Sequence, residues 1–266
     1  MKISEAISLL ENRFEARLLL SFVTGHSVEY LIGHMFDELS EELLIQFQAL
    51  CIRRKNHEPI AYIIGKKEFY SREFIVNKHV LIPRSDSEVL IDAVLKENYD
   101  KPKILELGVG SGCLLLTLLS EIKGSSGVGV DISHDALNVA QQNVESLKLS
   151  DSCHLFYSDW FDNIDGTFDI IISNPPYIEQ DEITLMSQET ILYEPKDALF
   201  GGLEPYIHIS KNAKSYLNLD GQIYLEIGYN QAEKVTKIFT SEGYNLSHIC
   251  YDIENRPRVM VFNLDK

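Results

Sequence analysis

The stretch Ile104-Leu105-Glu106-Leu107-Gly108-Val109-Gly110-Ser111-Gly112-Cys113 decides how this chain folds. A short apolar run ends in three glycines at alternate positions, and a second apolar run over 113–119 has the length and composition of a helix. Glycine lets the backbone turn tightly and lets a ligand approach it closely. A lone GxGxG is a weak sign, and a tight turn without a ligand is its plainest reading. Here the loop leaves a predicted strand, opens a predicted helix, and is followed about twenty residues on by Asp131 at the end of the next apolar run. At that spacing a carboxylate can accept hydrogen bonds from ribose hydroxyls. For Asp131 by itself, an exposed acid at a strand end is the alternative. The pattern is GxGxG rather than GxGxxG, and Glu106 stands two residues before the first glycine. A carboxylate beside a pyrophosphate is unfavourable, whereas one beside a cationic cofactor such as S-adenosyl-L-methionine is favourable.

Outward from this loop, strands are expected near 103–107, 127–131, 153–157, 168–173, 221–227, 246–252 and 258–263. Helices fill most gaps, the clearest over 134–147 and 231–242. Short apolar strands separated by helices imply a mainly parallel sheet covered on both faces. The last two strands leave no room for a helix, so one returns antiparallel. Before Pro83 the pattern differs. Ile3, Ala6, Ile7, Leu10 and Phe14 recur at helical spacing. A later helix is expected from Ser40, with Glu41 and Glu42 in its first turn, a stripe of Leu43, Leu44, Phe47, Leu50 and Cys51, and Arg53, Arg54 and Lys55 at its end. Over 60–82 the aromatic and β-branched residues, broken at 71–73 and 77–78, predict short strands or a hairpin. The expected division is a helical bundle over 1–58, a linker with short strands over 59–83, and an α/β domain over 84–266.

The strand at 168–173 ends in Asn174-Pro175-Pro176-Tyr177. In an open α/β sheet, ligands bind beyond the carboxyl ends of the strands, where this tetrapeptide falls. Two prolines fix two φ angles and carry no N–H, so the loop is stiff and its carbonyls serve as acceptors. Asn174 adds a side-chain carbonyl and Tyr177 a flat ring. Together they suit a planar –NH2 group, with two acceptors taking its two hydrogens. A Pro-rich turn is the structural alternative.

Lys and Arg number 24 and Asp and Glu 40, a formal net charge of −16. Residues 1–80 hold 10 basic and 11 acidic side chains, so residues 81–266 carry a net −15. Such a surface repels a polyphosphate backbone, and extended DNA or RNA is not expected as a partner. The four cysteines form no CxxC pair and read as buried free thiols in a reducing compartment. No metal site is indicated. The first twenty residues lack the apolar core of a signal peptide, and no apolar run is long enough to span a membrane. A soluble, cytoplasmic protein is expected.

The segments RRKNHEPIAYIIGKKEFY (53–70), VLIPRSDSE (80–88), LELGVGSGC (105–113), GVDIS (129–133), SDWF (158–161), SNPPYI (173–178) and EPKDALFGG (194–202) run through almost the whole chain. In order and spacing they resemble the HemK/PrmC family of peptide-chain release factor glutamine N5-methyltransferases. That family usually has PRPETE where this chain has PRSDSE, and a longer Gly-rich turn after the AL-GG segment. The resemblance implies an α/β, Rossmann-like class I methyltransferase domain with a seven-stranded, mostly parallel sheet, after a small helical bundle and a β-hairpin linker. It implies methyl transfer from S-adenosyl-L-methionine, leaving S-adenosyl-L-homocysteine, to the side-chain N5 of the glutamine in the Gly-Gly-Gln motif of class 1 release factors. By position, Glu106, Gly108, Val109, Gly110, Ser111, Gly112, Asp131, Trp160 and Asn174 are the implied cofactor residues. Asp131 would hold the ribose, and Trp160 would lie near the adenine unless it is a core filler. Asn174, Pro175, Pro176 and Tyr177 would hold the amide, and the bundle and linker would dock the release factor. The alternative is a nucleic-acid methyltransferase acting on adenine N6, which also has an exocyclic amino group. The acidic catalytic part and the lack of a basic recognition stretch count against it. A cofactor-binding module without activity is a third class, and nothing in the loop residues suggests such a loss.

Overall fold

The structure, a computed structural model, describes residues 1–264. The chain divides into two compact units. The first comprises 1–66 together with 187–193, and the second 67–186 with the segment from 194 onward.

The first unit is helical: α1 (Ile3–Ile7), α2 (Arg13–Thr24), α3 (Val28–Gly33), α4 (Glu41–Lys55) and α5 (Ile60–Ile64), joined by a distant helix over Gln188–Tyr193. Ala6, Leu19, Leu20, Leu31 and Phe47 are fully buried at its centre. Ser40 caps α4 as expected, its hydroxyl accepting the Leu43 N–H. The expected stripe from Ile3 to Phe14 is broken. Asn12 starts a new helix by accepting the Phe14 and Glu15 N–H groups, and this turns Phe14 outward, 61% exposed. The strands expected from residue 60 begin only at Lys66, because 60–64 form a helical turn whose Ile63 joins this core. Arg54 clamps the unit with a bidentate pair to Glu15 at 2.7 and 2.9 Å and a third contact to Glu189 at 2.8 Å. The Tyr193 hydroxyl donates to the Asn56 carbonyl.

The second unit opens with the hairpin β1 (Lys66–Phe69) and β2 (Arg72–Ile75), followed by α6 (Glu88–Leu95). Its main sheet contains β3 (Lys103–Leu107), β4 (Ser126–Asp131), β5 (Cys153–Tyr157), β6 (Phe168–Ser173), β7 (Leu217–Glu226), β8 (Tyr244–Tyr251) and β9 (Pro257–Leu264). The strand order is β5-β4-β3-β6-β7-β9-β8; β9 runs antiparallel to both β7 and β8, and the other pairs are parallel. This is the seven-stranded class I methyltransferase fold that the sequence led one to expect. With α7 (Cys113–Glu121), α8 (His134–Ser146) and α6 on one face and α9 (Glu204–Asn212) and α10 (Ala232–Ser241) on the other, the central strands are buried on both sides. Leu114, Leu115, Leu116 and Leu118 anchor α7 to the sheet, each contributing about 1.5–3 kcal/mol through burial. Strand order reverses between β3 and β6, which opens a crevice at their carboxyl ends. Of the cysteines, all free, Cys51 and Cys153 are buried as expected. Cys113 and Cys250 are only half-buried, and Cys113 borders that crevice. Among the described residues no helix is long and apolar enough to cross a membrane.

Candidate active site

A cavity of about 510 Å³ fills the crevice. Its wall includes Glu106, Gly108, Val109, Gly110, Ser111, Asp131, Trp160, Asn174 and Pro176, so the structure brings together residues from β3, β4, β6 and the loop after β5. Gly112, Pro175 and Tyr177 are not on the wall.

The loop after β3 is built for close approach. Gly108 and Gly110 have φ of +72° and +53°, and a Cβ on either would meet no neighbouring atom. Both therefore present bare backbone to open space. Gly112 has a different reason to be glycine: at φ +80° it caps α7, and a Cβ would press on Leu116 at 3.0 Å. The Gly108 and Val109 N–H groups bond the Val130 carbonyl at 2.9 Å, which ties the loop to β4. The fully buried Asn143 holds it from the other side. Its Nδ2 donates to the Ser111 carbonyl at 2.8 Å, and its amide also pairs both ways with the backbone of Ile75 in β2. Nothing in the sequence pattern marked Asn143, which sits in an ordinary amphipathic helix.

Two carboxylates face this loop. Glu106, 1% exposed, accepts the Leu115 N–H at 3.0 Å in the first turn of α7, where the helix dipole favours an anion. Burial still pushes its carboxyl well above the usual range, and the neighbouring Asp131 adds to the shift. Asp131 accepts from Gly110 N–H through one oxygen and from Ser133 N–H through the other, both at 2.9 Å. Burial raises its pKa, and these backbone bonds work against that rise. Neither acid has an ion pair among the described residues. Two desolvated acids without a cation make a site that favours a cationic ligand. Trp160, the only tryptophan, adopts φ +50°, lines the cavity and also packs on the core cluster.

The Asn174–Tyr177 loop is held from below. The Ser173 hydroxyl donates to the Leu107 carbonyl at 2.8 Å, which fixes the end of β6 to the end of β3. Asn174 Nδ2 donates to Ser87 Oγ at 3.3 Å. The Tyr177 hydroxyl donates to Glu226 at 3.3 Å, and its carbonyl accepts from Gln231 Nε2 at 2.8 Å. Burial pushes the Tyr177 phenol far up, so it stays protonated and able to donate. Ile178 pairs with Phe200, and the Pro176 carbonyl lies so close to Gly201 that an added Cβ would sit 2.3 Å from it. Arg84 and the buried Glu194 form an ion pair, with Glu194 also accepting the Ile82 N–H at 3.1 Å. Sequence reasoning missed Ser87, Glu194, Glu226 and Gln231. One signal was available: Glu226 is an acid in the apolar run Tyr224-Leu225-Glu226-Ile227, as Glu106 is in its own strand.

Residues 85–216 match the Methyltransferase small domain family, and residues 4–65 match the PrmC N-terminal domain family. A bifunctional methyltransferase of Rickettsia typhi is 47% identical over 270 residues, covering 92% of this chain and 52% of that protein. The chain thus spans about half the length of such relatives. The release factor glutamine methyltransferase of Agrobacterium fabrum is 36% identical over 267 residues, covering 97% of this chain and 92% of its own length. Among solved structures, a methyltransferase from Pyrococcus furiosus superposes with a TM-score of 0.56 at 17% identity, over 81% of this chain and 96% of that one, and shares the fold.

Proposed function

The chain belongs to the release factor glutamine methyltransferase family, and from that premise we propose that it methylates the side-chain N5 of the glutamine in the Gly-Gly-Gln motif of class 1 peptide-chain release factors. S-adenosyl-L-methionine is the methyl donor, and when bound it supplies a methyl group activated by a sulfonium. The observation that carries this reading is the shared cavity, in which Asn174 and Pro176 stand on the same wall as Glu106 and Asp131.

Each residue has a role that its surroundings support. Glu106 and Asp131 offer negative potential to a cationic donor, with Asp131 placed for the ribose hydroxyls. Gly108, Val109, Gly110 and Ser111 let the donor's amino-acid end approach the backbone, and Gly112 keeps the loop against α7. Trp160 offers its ring to the adenine. Asn174 donates through Nδ2 to Ser87, so its Oδ1 is the end that can accept one amide hydrogen of the substrate. Among the loop's main-chain carbonyls, that of Tyr177 takes Gln231 and that of Pro176 lies over Gly201, leaving those of Asn174 and Pro175 for the other hydrogen. Tyr177 stiffens the loop from below.

A carboxamide nitrogen is a weak nucleophile because its lone pair is delocalised. Acceptors on both of its N–H bonds raise the electron density on nitrogen and stabilise the positive charge that develops as the new bond forms. Holding the nitrogen in line adds an orientation gain of up to about 7–11 kcal/mol. The adenine-N6 alternative is not favoured, since these relatives are named for glutamine in a protein.

The test is mass spectrometry of a release factor co-incubated with the protein and S-adenosyl-L-methionine. One methyl on the Gly-Gly-Gln peptide is expected. An unmodified glutamine, with the label taken up by nucleic acid instead, overturns the reading.

A further inference from the structure

Three segments meet beneath Tyr177: the end of β7 with Glu226, the 3-10 turn Ser85–Ser87, and β9 with Arg258. Glu226, Ser87 and Arg258 are 2%, 3% and 8% exposed. Glu226 lies outside the cavity wall, whereas Ser87 is on it. One Glu226 oxygen accepts the Tyr177 hydroxyl. The other is buried with no donor fixed on it, and the Ser87 side chain lies beside this carboxylate. Burial raises the Glu226 pKa, and the side chains of Ser87, Arg258 and Tyr177 work against that rise, although Arg258 itself makes ion pairs with Asp86 at 3.0 Å and Asp252 at 3.1 Å.

We propose, resting on the methyl-transfer reading above, that Glu226 is a positioning residue that sets which end of the Asn174 amide faces the substrate, acting through the Ser87 hydroxyl. A carboxylate can only accept hydrogen bonds, whereas a serine hydroxyl has one hydrogen to give and lone pairs to accept with. Beside an anion lacking a donor, Ser87 turns its hydrogen to Glu226. Its oxygen is then left as an acceptor, and only the –NH2 end of Asn174 can bond to it. Oδ1 is therefore forced toward the cavity, where an acceptor is needed. If Ser87 gave its hydrogen to Asn174 instead, the amide would turn over and present –NH2 to the substrate's –NH2, donor against donor.

Stability alone gives no reason for an acid here. Burying a charge costs free energy unless its partners are complete, and apolar replacement of buried ionic groups is often neutral or stabilising. The same carboxylate also holds the Tyr177 hydroxyl, so it governs both ends of the tetrapeptide.

Glu226→Gln tests this directly. Its amide can still accept from Tyr177, but its –NH2 can donate to Ser87 and free the serine hydrogen for Asn174. The expected result is a fall in kcat for release factor methylation on the order of ten- to a hundredfold. The KM for the release factor and the Kd for S-adenosyl-L-homocysteine should stay within about twofold. Ser87→Ala should lower kcat similarly, Ser87→Thr should retain it, and the Ser87→Ala/Glu226→Gln double variant should be no worse than the poorer single one. A Glu226→Gln enzyme with wild-type kcat overturns the proposal, as does a double variant whose losses multiply. If Glu226→Gln does not fold, the serine pair decides, and Ser87→Ala with wild-type kcat overturns it. Wild-type protein that fails to methylate the release factor sinks the functional reading instead, so the two failures are distinct.

Discussion

Glu106 is the residue at which the proposed binding role and stability conflict most openly. Its carboxyl pKa is higher in the fold than in the unfolded chain, so the folded state favours the protonated form. Its contribution is fully present below the unfolded value, about pH 4.3, and is lost as pH rises through the folded value. Glu106→Gln keeps the acceptor for Leu115 N–H and removes the charge. Its thermal midpoint without ligand should match wild type near pH 4 and exceed it by roughly 2–8 °C at neutral pH. Its affinity for S-adenosyl-L-methionine should fall. Calorimetry at several pH values checks the first part and titration the second; equal midpoints at pH 7 would contradict the assignment. At Asn174, a change to aspartate keeps an acceptor oxygen and a change to alanine keeps none. Turnover should fall in the order wild type, Asn174→Asp, Asn174→Ala, with S-adenosyl-L-homocysteine affinity changing less than turnover. Single-turnover transfer of a labelled methyl reads this order, and wild-type turnover by Asn174→Ala would sink the amide grip. Asn174 and Glu106 were legible in the sequence because each stands at the end of an apolar strand, where a polar group has few structural reasons to be. Ser87 and Gln231 were not, since a serine in a turn and a glutamine before a helix are the commonest of local features.

At the scale of elements, the Asn174–Tyr177 loop is a short arch set on a second segment. Ile178 N–H bonds the Leu199 carbonyl at 2.9 Å, Gly201 N–H bonds the Ile178 carbonyl at 3.3 Å, and the bare Gly201 Cα admits the Pro176 carbonyl. Because the obstructing atom is backbone, a methyl at 201 cannot be accommodated by turning a side chain. Gly201→Ala should therefore displace the arch and lower kcat on the order of a hundredfold, with S-adenosyl-L-homocysteine binding within about threefold. Stopped-time methylation assays and titration separate the two, and an unimpaired kcat would show that the arch tolerates the shift. The sheet and its flanking helices were readable because parallel strands buried on both faces give unbroken apolar runs. The turn over Ile60–Ile64 was misread as extended because Ile60, Ile63 and Ile64 are β-branched, and tertiary packing outweighed that preference. The six-residue helix Gln188–Tyr193 is too short to show a periodic stripe.

At the scale of the whole molecule, every residue of the cavity wall belongs to the second unit, and the first unit contributes none. Removing 1–66 should leave S-adenosyl-L-homocysteine affinity within about threefold while lowering kcat/KM on an intact release factor by at least tenfold, if the helical unit docks the partner. Circular dichroism must show a folded fragment, and equal losses in both measurements would argue against that division of labour. The sequence pattern changes near Pro83, whereas the two units divide between residues 66 and 67, which leaves most of the hairpin in the second unit. The contribution of 187–193 to the first unit could not be read from the sequence, because it rests on contacts such as Arg54–Glu189 between residues 135 positions apart.

That separation also sets an order of events during synthesis. A ribosome releases the chain from its N-terminus at about 5–20 residues per second, so Glu189 follows Arg54 by on the order of ten seconds. During that interval Arg54 has only Glu15 and the Glu58 carbonyl, and the Asn56 carbonyl awaits the Tyr193 hydroxyl. Arg54 and Asn56 therefore complete these contacts only after Asn174–Tyr177 has been made.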